Sequence, residues 1–343
     1  MTDQGAKRDT RRGGAVRSVI IFTLILGLLA SISIGVGGYF AYREAARPGP
    51  LEEPQAVLLI SGSSVSRIAA ELEASGVIRN SQLFTAAVRV KGVQSDIKAG
   101  EYEIPARASV LEVIDLLVSG KGILHSFTAP EGRTTAQILK LVESHPVLYG
   151  EITLTPAEGA LLPETYHFTR GETRDGMIRT MTKAQDELLD ALWDDRALDL
   201  PFNTRAEALT LASIVEKETG LPDERARVAA VFVNRLKRGM RLESDPTIIY
   251  GLTKGEPLGR GLRLSELRGE TPYNTYVING LPPTPIANPG RGAIEAVLHP
   301  METDEIFFVA DGTGGHLFAT TLAEHNRNVA KWRSVERARR ANN

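Results

Sequence analysis

Cysteine is absent from the 343-residue sequence. Disulfide bonds, thiolate metal sites and thiol nucleophiles are therefore excluded. The sequence also lacks a surplus of basic residues, because its formal net charge at pH 7 is −2. Proteins whose main partner is nucleic acid normally carry such a surplus, so the composition disfavours a nucleic-acid partner.

Motifs for metals and nucleotides are also missing. The sequence has six histidines, and the pair His316 and His325 does not show the i, i+4 spacing of a zinc-protease helix. The glycine-rich residues 311–316 are not followed by the Lys-Ser/Thr pair of a phosphate-binding loop. We therefore assign neither a metal nor a cofactor to this chain.

What the sequence does contain is an ordinary globular composition, 42% apolar and 24% charged, together with one long apolar segment. A chain of this length can bury a substantial core and hold two domains. We predict the α+β class, with a single N-terminal transmembrane helix, a small βααβ module and a larger mixed α+β domain.

The long apolar segment covers residues 18–42, none of which is charged. A helix of this length spans a bilayer core of about 30 Å. Five basic residues precede it against Asp3 and Asp9, so the positive-inside rule places residues 1–17 in the cytoplasm and everything after Arg43 outside. A cleaved signal peptide is the alternative. The apolar run is too long for a signal peptide, however, and no small-x-small cleavage site follows it.

The outward part begins with residues 43–54, which are rich in proline and charge and are predicted to form a short extended linker. A strand is predicted at residues 57–60, followed by a helix capped by Ser64. We predict the small module over residues 55–123 and the larger domain over residues 124–341.

One helix of the larger domain has clear ends. Thr204 and Glu207 have the spacing of a capping box, and Gly220 followed by Pro222 marks the stop. These signals predict a helix over residues 204–219. A second helix, which begins just after the stop, is predicted to pack against the first across this tight corner.

A glutamate shares the apolar face of that first helix. At 100° per residue, Leu211, Ile214 and Val215 fall within one arc. Glu218 lies in the same arc, whereas Glu216 points to nearly the opposite side. Partial burial and the negative end of the helix dipole both favour a protonated carboxyl group. A raised pKa of this kind is what a general acid near neutral pH requires.

A structural role for Glu218 is the alternative. Most glutamates in a last helical turn are solvated or ion-paired, and Arg225 or Arg227 in the next helix could pair with Glu218 and lower its pKa. The pattern alone does not decide between the two roles.

Longer stretches of the sequence narrow the choice. The segments ASIVEKET, TPYNTYVING, LPPTPIANPG and FFVADGTGGHLFATT occur in this order. Together they resemble the YceG-like (MltG) family of membrane-anchored endolytic murein transglycosylases, from about residue 55 to about residue 332. The resemblance implies that the catalytic acid is the second glutamate of the E-K-E-T motif, which is Glu218 here and not Glu216.

The resemblance also implies a reaction. In this family one glutamate protonates the leaving oxygen and then, as a carboxylate, takes a proton from the C6 hydroxyl of the same N-acetylmuramic acid (MurNAc). The sugar closes into a 1,6-anhydro end without water. The implied substrate is the MurNAc–GlcNAc bond of nascent peptidoglycan strands at the bacterial inner membrane, where cleavage ends strand elongation beside peptidoglycan synthases.

Two further features follow from the same resemblance. Residues 55–123 resemble the LysM-like module of the family, including KAGEYEI at residues 98–104, and this implies glycan binding. The alternative is that the module spaces and orients the larger domain, and no binding residue is assigned to it. LLPETYHF at residues 161–168 resembles another family motif, and its Glu164 is the second candidate carboxylate.

Sugar-binding side chains are expected in the segments after Gly239, which are predicted to be loops and short strands. Glycan clefts need aromatic rings and hydrogen-bonding side chains beside the acid. Each of these residues taken alone is more often structural. The candidates are Asp245, Thr247, Tyr250, Tyr273, Asn274, Tyr276 and Asn288.

Two other functions remain open from the sequence. One is a two-carboxylate muramidase that uses Glu218 with Asp245 or Glu164 and hydrolyses the same strands. The other is a non-catalytic, glycan-binding membrane anchor that recruits cell-wall synthases. The chemical form of the new strand ends separates the three functions.

Overall fold

The structure is a computed structural model that describes residues 10–60 and 62–342. It mixes helices with short strands, as the predicted α+β class requires. Residues 1–9 of the predicted cytoplasmic tail lie outside the described residues. The chain divides into two compact units between Leu124 and His125.

The first unit begins with a long helix, α1 (Thr10–Ala45). Within it, residues 21–45 are long and apolar enough to cross a membrane, and their apolar side chains are exposed. The helix continues past the predicted end at residue 42, and Ala45 is only 2% exposed within the core of this unit.

The composition of residues 43–54 predicts a free linker, but in the structure the segment after α1 is bonded to the rest of the first unit. The Gly49 N–H donates to the Arg107 carbonyl at 2.9 Å, and the Arg107 N–H donates to the Leu51 carbonyl at 2.9 Å. A Cβ at Gly49 would collide with the Ala108 carbonyl. A composition rich in proline and charge is typical of a solvated linker, but here the backbone forms hydrogen bonds with the folded module.

Two strands and three helices complete the first unit. The strands pair antiparallel, with Gln55 opposite Ile104, and the apolar faces of the helices enclose one core beside them. Ser64 caps the first of these helices, as predicted. The likeness of these two strands and three helices to a LysM module stays a prediction. The elements are β1 (Gln55–Leu59), α2 (Val65–Ala74), α3 (Ser81–Lys91), β2 (Gly100–Ile104) and α4 (Val110–Ser119).

The second unit contains two antiparallel strand pairs, β3 with β4 and β5 with β6, among eight helices of the described chain. The elements are β3 (His125–Thr128), α5 (Thr135–Ser144), β4 (Thr165–Phe168), α6 (Arg174–Trp193), α7 (Arg205–Glu218), α8 (Pro222–Lys237), α9 (Asp245–Thr253), α10 (Leu264–Leu267), α11 (Arg291–Leu298), β5 (Phe307–Ala310), β6 (His316–Ala319) and α12 (Leu322–Asn342).

Helix α7 lies in the larger of two cores in this unit. It packs against α8 and α11, and the contact is built from fully buried Leu211 and Val215 of α7, Val231 of α8 and Ile294 of α11. A smaller core lies between β3, α5, β4 and the start of α6. Because α7 is packed on both sides, its C-terminal end has a fixed position.

The segment from residue 245 to 253 is the helix α9, so the prediction of loops and short strands was wrong there. Thr247, Ile248 and Ile249 are β-branched, which favours a strand. Pro246 in the first turn, however, starts a helix. Lys254 in the left-handed conformation ends it.

Candidate active site

Helix α7 presents Glu218 at its last position. The predicted capping box is confirmed: Thr204 Oγ1 accepts from the Glu207 N–H at 3.2 Å, and the Glu207 carboxylate accepts from the Thr204 N–H at 2.9 Å. Thr219 ends the helix, one residue later than Glu218. The predicted apolar face is also confirmed, and the half-buried Glu218 follows it.

The contact that fixes the Glu218 carboxylate comes from Ser244. The Ser244 hydroxyl donates to Glu218 Oε1 at 2.5 Å. Ser244 is the N-cap residue of α9, but its side chain makes no capping hydrogen bond, because it is directed to Glu218 instead. We did not identify Ser244 from the sequence, since a serine before Asp-Pro is typical of an ordinary helix start.

A buried polar cluster holds Ser244 in place. The Ser244 N–H donates to Thr275 Oγ1 at 2.9 Å, and the Thr247 hydroxyl donates to the Ser244 carbonyl at 2.6 Å. The two threonine oxygens lie 2.9 Å apart, and both residues are buried. Thr247 therefore supports the residue that binds Glu218.

Arg235 of α8 organises the loop that leads to Ser244. Its Nη1 donates to the Leu242 carbonyl and to the Glu243 carboxylate, both at 3.0 Å, and its Nε donates to the Ile306 carbonyl at 2.7 Å. Glu243 has a positive φ of 53°. A non-glycine residue in this conformation needs surrounding structure to hold it, and the guanidinium group provides it.

The environment raises the pKa of Glu218 to about 7. Burial is the largest cause, and the hydrogen bond from Ser244 opposes it by stabilising the carboxylate. The negative charge of Asp245 raises the pKa further, and the positive charge of Arg235 lowers it. Glu218 is thus poised to hold or release a proton near neutral pH.

The two arginines that could have neutralised Glu218 pair elsewhere. Arg225 Nη2 lies 2.9 Å from Glu131 and 3.6 Å from Glu216. Arg227 binds Glu305. The alternative of an ion-paired Glu218 was therefore wrong for both of these partners.

Glu216 does face away from Glu218, as predicted, but it is buried there and not solvated. Its side chain is 5% exposed, and its Oε2 accepts from the Gly290 N–H, at the start of α11, at 3.0 Å. Burial raises its pKa, and the hydrogen bond from Gly290 opposes this. Glu216 therefore joins α7 to α11.

Asp245 and Tyr276 lie beside the Glu218 carboxylate. The Tyr276 hydroxyl donates to Asp245 Oδ1 at 2.8 Å. Burial and this hydrogen bond raise the pKa of Tyr276, and the charge of Glu218 adds to the shift. Glu164, the other candidate partner, is exposed at the start of β4 and accepts from the Thr165 N–H at 3.0 Å.

Two tyrosines form an aromatic pair in the same part of the unit. The ring centroids of Tyr250 and Tyr273 are 5.0 Å apart in an edge-to-face arrangement. The Tyr250 hydroxyl donates to Glu158 Oε2 at 3.0 Å. Tyr250 lines a groove of about 400 Å³, whose wall also includes Lys217 and Pro246. We call it the Lys217 groove.

The two predicted asparagines are buried and serve the fold. Asn274 Nδ2 donates to the Gly269 carbonyl at 2.7 Å, and its Oδ1 accepts from the Tyr276 N–H at 3.0 Å. Asn288 Oδ1 accepts from the Leu161 N–H at 2.9 Å, and its Nδ2 donates to a backbone carbonyl at 3.0 Å. Their polar atoms are occupied within the protein, as are those of Thr247.

Comparisons with known proteins show which family and which proteins this chain resembles. Residues 57–331 match the profile of the YceG-like family. The chain is similar to a Bacillus subtilis protein named endolytic murein transglycosylase, with 30% identity over 332 residues, 87% of this chain and 91% of that protein. It is also similar to a Streptococcus pneumoniae protein of the same name, with 29% identity over 91% of this chain and 64% of that protein.

A solved structure agrees with these sequence matches. The crystal structure of a yceG-like protein from Listeria monocytogenes aligns with a TM-score of 0.51 at 30% identity, covering 80% of this chain and 98% of that chain. The matched region contains both the Glu218 helix and the segments around Ser244 and Tyr276. The chain belongs to the YceG-like family.

Proposed function

We propose that this protein is a membrane-anchored endolytic lytic transglycosylase that cleaves MurNAc–GlcNAc bonds of peptidoglycan strands. The observation that carries the proposal is the half-buried Glu218, whose pKa is about 7 and whose Oε1 is held by Ser244. The names of the two similar bacterial proteins support the same activity.

In the first step, protonated Glu218 donates its proton to the glycosidic oxygen. The bond between that oxygen and C1 of MurNAc breaks, and positive charge develops at C1 and the ring oxygen. Glu218 becomes a carboxylate, which the Ser244 hydroxyl stabilises. The strand portion that leaves carries the transferred proton on its new hydroxyl group.

In the second step, the Glu218 carboxylate takes the proton of the C6 hydroxyl of the same MurNAc. The O6 atom attacks C1 and closes the 1,6-anhydro ring, and Glu218 is protonated again. No water is consumed. A group with a pKa of about 7 suits both roles, because acid and base forms are both populated near neutral pH.

The neighbours of Glu218 have supporting parts in this scheme. The negative charge of Asp245, oriented by the Tyr276 hydroxyl, stabilises the positive charge at C1. The rings of Tyr250 and Tyr273 offer apolar faces to sugars. Thr247, Asn274 and Asn288 act indirectly in this proposal, since they hold the loops that carry these side chains.

In this proposal, the remaining parts of the chain determine where in the cell the cleavage occurs. Residues 18–42 anchor the protein in the bacterial inner membrane, with residues 1–17 in the cytoplasm and the rest in the periplasm. Residues 55–123 act as a LysM-like module that guides glycan strands to the catalytic domain at residues 124–341. Cleavage near the membrane ends the elongation of nascent strands made by neighbouring synthases.

The test is the chemistry of the new strand ends. Full-length protein in detergent is incubated with uncrosslinked glycan strands in ¹⁸O-labelled water, and the products are analysed by mass spectrometry. We expect 1,6-anhydro-MurNAc ends without label. A muramidase that uses Glu218 with Asp245 would leave labelled reducing ends. A glycan-binding anchor would leave strand length unchanged. Either of these results would overturn the proposal.

A further inference from the structure

The Lys217 groove contains two cations. Arg133 and Lys217 both line it. The Lys217 ammonium donates to the Gly132 carbonyl at 3.2 Å, which leaves two of its three donors free. Within the described part of the chain, neither side chain forms an ion pair with a carboxylate.

The groove also contains two carboxylates, but cations outside the groove neutralise them. Glu131 pairs with Arg225 at 2.9 Å, and Glu256 pairs with Lys140 at 3.5 Å. Arg225 is shared with Glu216, whose charge also acts on Lys217, so Arg133 and Lys217 leave a net positive charge in the groove. An anion that enters the groove meets this charge directly.

The two cations also destabilise each other. Burial lowers the pKa of Lys217, and the nearby positive charge of Arg133 lowers it further, while Glu216 opposes the shift. Two like charges held close together cost folding free energy. Such a cost is typical of binding sites, where a ligand of opposite charge relieves it.

The position of the groove relates it to Glu218. Lys217 is the residue before Glu218, and Pro246, on the same wall, follows Asp245 in the chain. The groove therefore lies beside the end of α7 and the start of α9, the two segments that carry Glu218 and Asp245.

We propose that Arg133 and Lys217 bind a carboxylate of the stem peptide carried by the MurNAc residue at Glu218. This inference rests on the proposed function. The sugar rings of a glycan strand are uncharged, so the anionic groups of this substrate are the carboxylates of its peptides. Arginine and lysine donors suit such a carboxylate. Strands whose peptides carry free carboxylates are then preferred over the same strands with amidated peptides.

The test compares two substrates and uses the full-length protein. One is uncrosslinked strands with stem peptides, and the other is the same strands after carbodiimide coupling to ammonia has converted the peptide carboxylates to amides. The measured quantity is the ratio of the kcat/KM values. We expect the wild type to favour strands with free peptide carboxylates by about tenfold or more, since a charge-assisted contact has about this effect.

Variants assign the preference to the groove. Arg133→Met and Lys217→Met should each lower the ratio by about tenfold, and Arg133→Lys, which keeps the charge, should retain most of it. Lys183→Met is the matched control, because Lys183 is an exposed cation of α6 that does not line the groove. Its ratio should equal that of the wild type.

Two results would overturn the inference: equal kcat/KM values of the wild type on both substrates, or a wild-type ratio in both groove variants. Calorimetry with the inactive Glu218→Gln protein separates this inference from the proposed chemistry. It compares a disaccharide-tetrapeptide with the same compound whose carboxylates have been converted to amides. Tighter binding of the first, lost in Arg133→Met, supports the anion site even if the strands are cut by hydrolysis. Equal binding contradicts it.

Discussion

Two consecutive residues act in opposite directions on the protonation of Glu218. Ser244 donates a hydrogen bond to the carboxylate and lowers its pKa, whereas the negative charge of Asp245 raises it. Burial exceeds both effects and gives the pKa of about 7. The balance predicts that substitutions at these two positions shift the pH dependence of cleavage in opposite directions.

We expect Ser244→Ala to raise the pKa of Glu218 and Asp245→Asn to lower it. In the proposed scheme the free enzyme needs protonated Glu218, so the alkaline limb of the kcat/KM profile reports this pKa. The limb should move to higher pH in Ser244→Ala and to lower pH in Asp245→Asn, each by about half a unit to one unit. Movement in the same direction would contradict the assigned causes.

Glu218→Gln should lose strand cleavage by about three orders of magnitude or more, because the amide cannot transfer the proton. It should also stabilise the fold at alkaline pH. The folded-state pKa of about 7 lies above the ordinary glutamate value of 4.5, so the stabilisation from the protonated group is present at low pH. It is lost as the pH rises through about 7.

Thermal unfolding of the two proteins measures this difference. Glu218→Gln should exceed the wild type by about 1–3 kcal/mol at about pH 8 and by less at about pH 5. The catalytic group thus lowers stability at working pH, as functional residues often do. A stability difference that does not change with pH would show that Glu218 has an ordinary pKa in the folded protein.

At the scale of elements, α7 carries carboxylates with different tasks on its two sides. Glu218 meets Ser244 of the α9 start, and Glu216 meets the Gly290 N–H of the α11 start together with Arg225. Helix α7 is therefore joined by hydrogen bonds to the first residues of two other helices. These contacts complement the apolar packing in the core.

Glu216→Gln should retain far more activity than Glu218→Gln, because Glu216 is directed away from the site. Glu216→Ala removes the acceptor of Gly290 and should cost about 1–3 kcal/mol of unfolding free energy. Activity on glycan strands and thermal unfolding test the two expectations. Equal loss of activity in the two glutamine variants, both folded, would mean that the facial assignment is wrong.

Local signals in the sequence predicted the helix α7 well. The capping box at Thr204 and the stop at Gly220 depend on residues a few positions apart, and the 3.6-residue period identified Glu218 on the apolar face. Helix α9 was missed because the β-branched residues after Pro246 favour a strand in isolation. Pro246 in the first turn is the local signal for the start of α9, and it outweighs these preferences.

Long-range contacts explain the parts of the site that the sequence could not predict. Thr247 and Asn274 have the side chains of sugar-binding residues, but their partners, Thr275 and the Gly269 carbonyl among them, are known only from the folded chain. The role of Ser244 depends on Glu218, 26 positions away. Such pairings are determined by tertiary packing and not by spacing along the chain.

At the scale of the whole molecule, the topology is predicted by the uncharged run at residues 18–42 and the basic residues that precede it. A reporter that is active only outside the cytoplasm, fused after Asn343, should be active. The protein should also remain in the membrane fraction at high salt and at alkaline pH. Release of the outer part under these conditions would indicate a cleaved signal peptide.

Helix α1 is attached rigidly to the rest of the first unit, because Ala45 is buried in its core and the Gly49 N–H donates to the Arg107 carbonyl. If residues 18–42 span the bilayer as proposed, the rest of this unit moves as one body with its anchor and searches for glycan in two dimensions. The attachment to α1 then sets the distance of this unit from the lipid surface. A flexible Gly-Ser insertion after Arg47 should make this distance variable and broaden the length distribution of the strands produced.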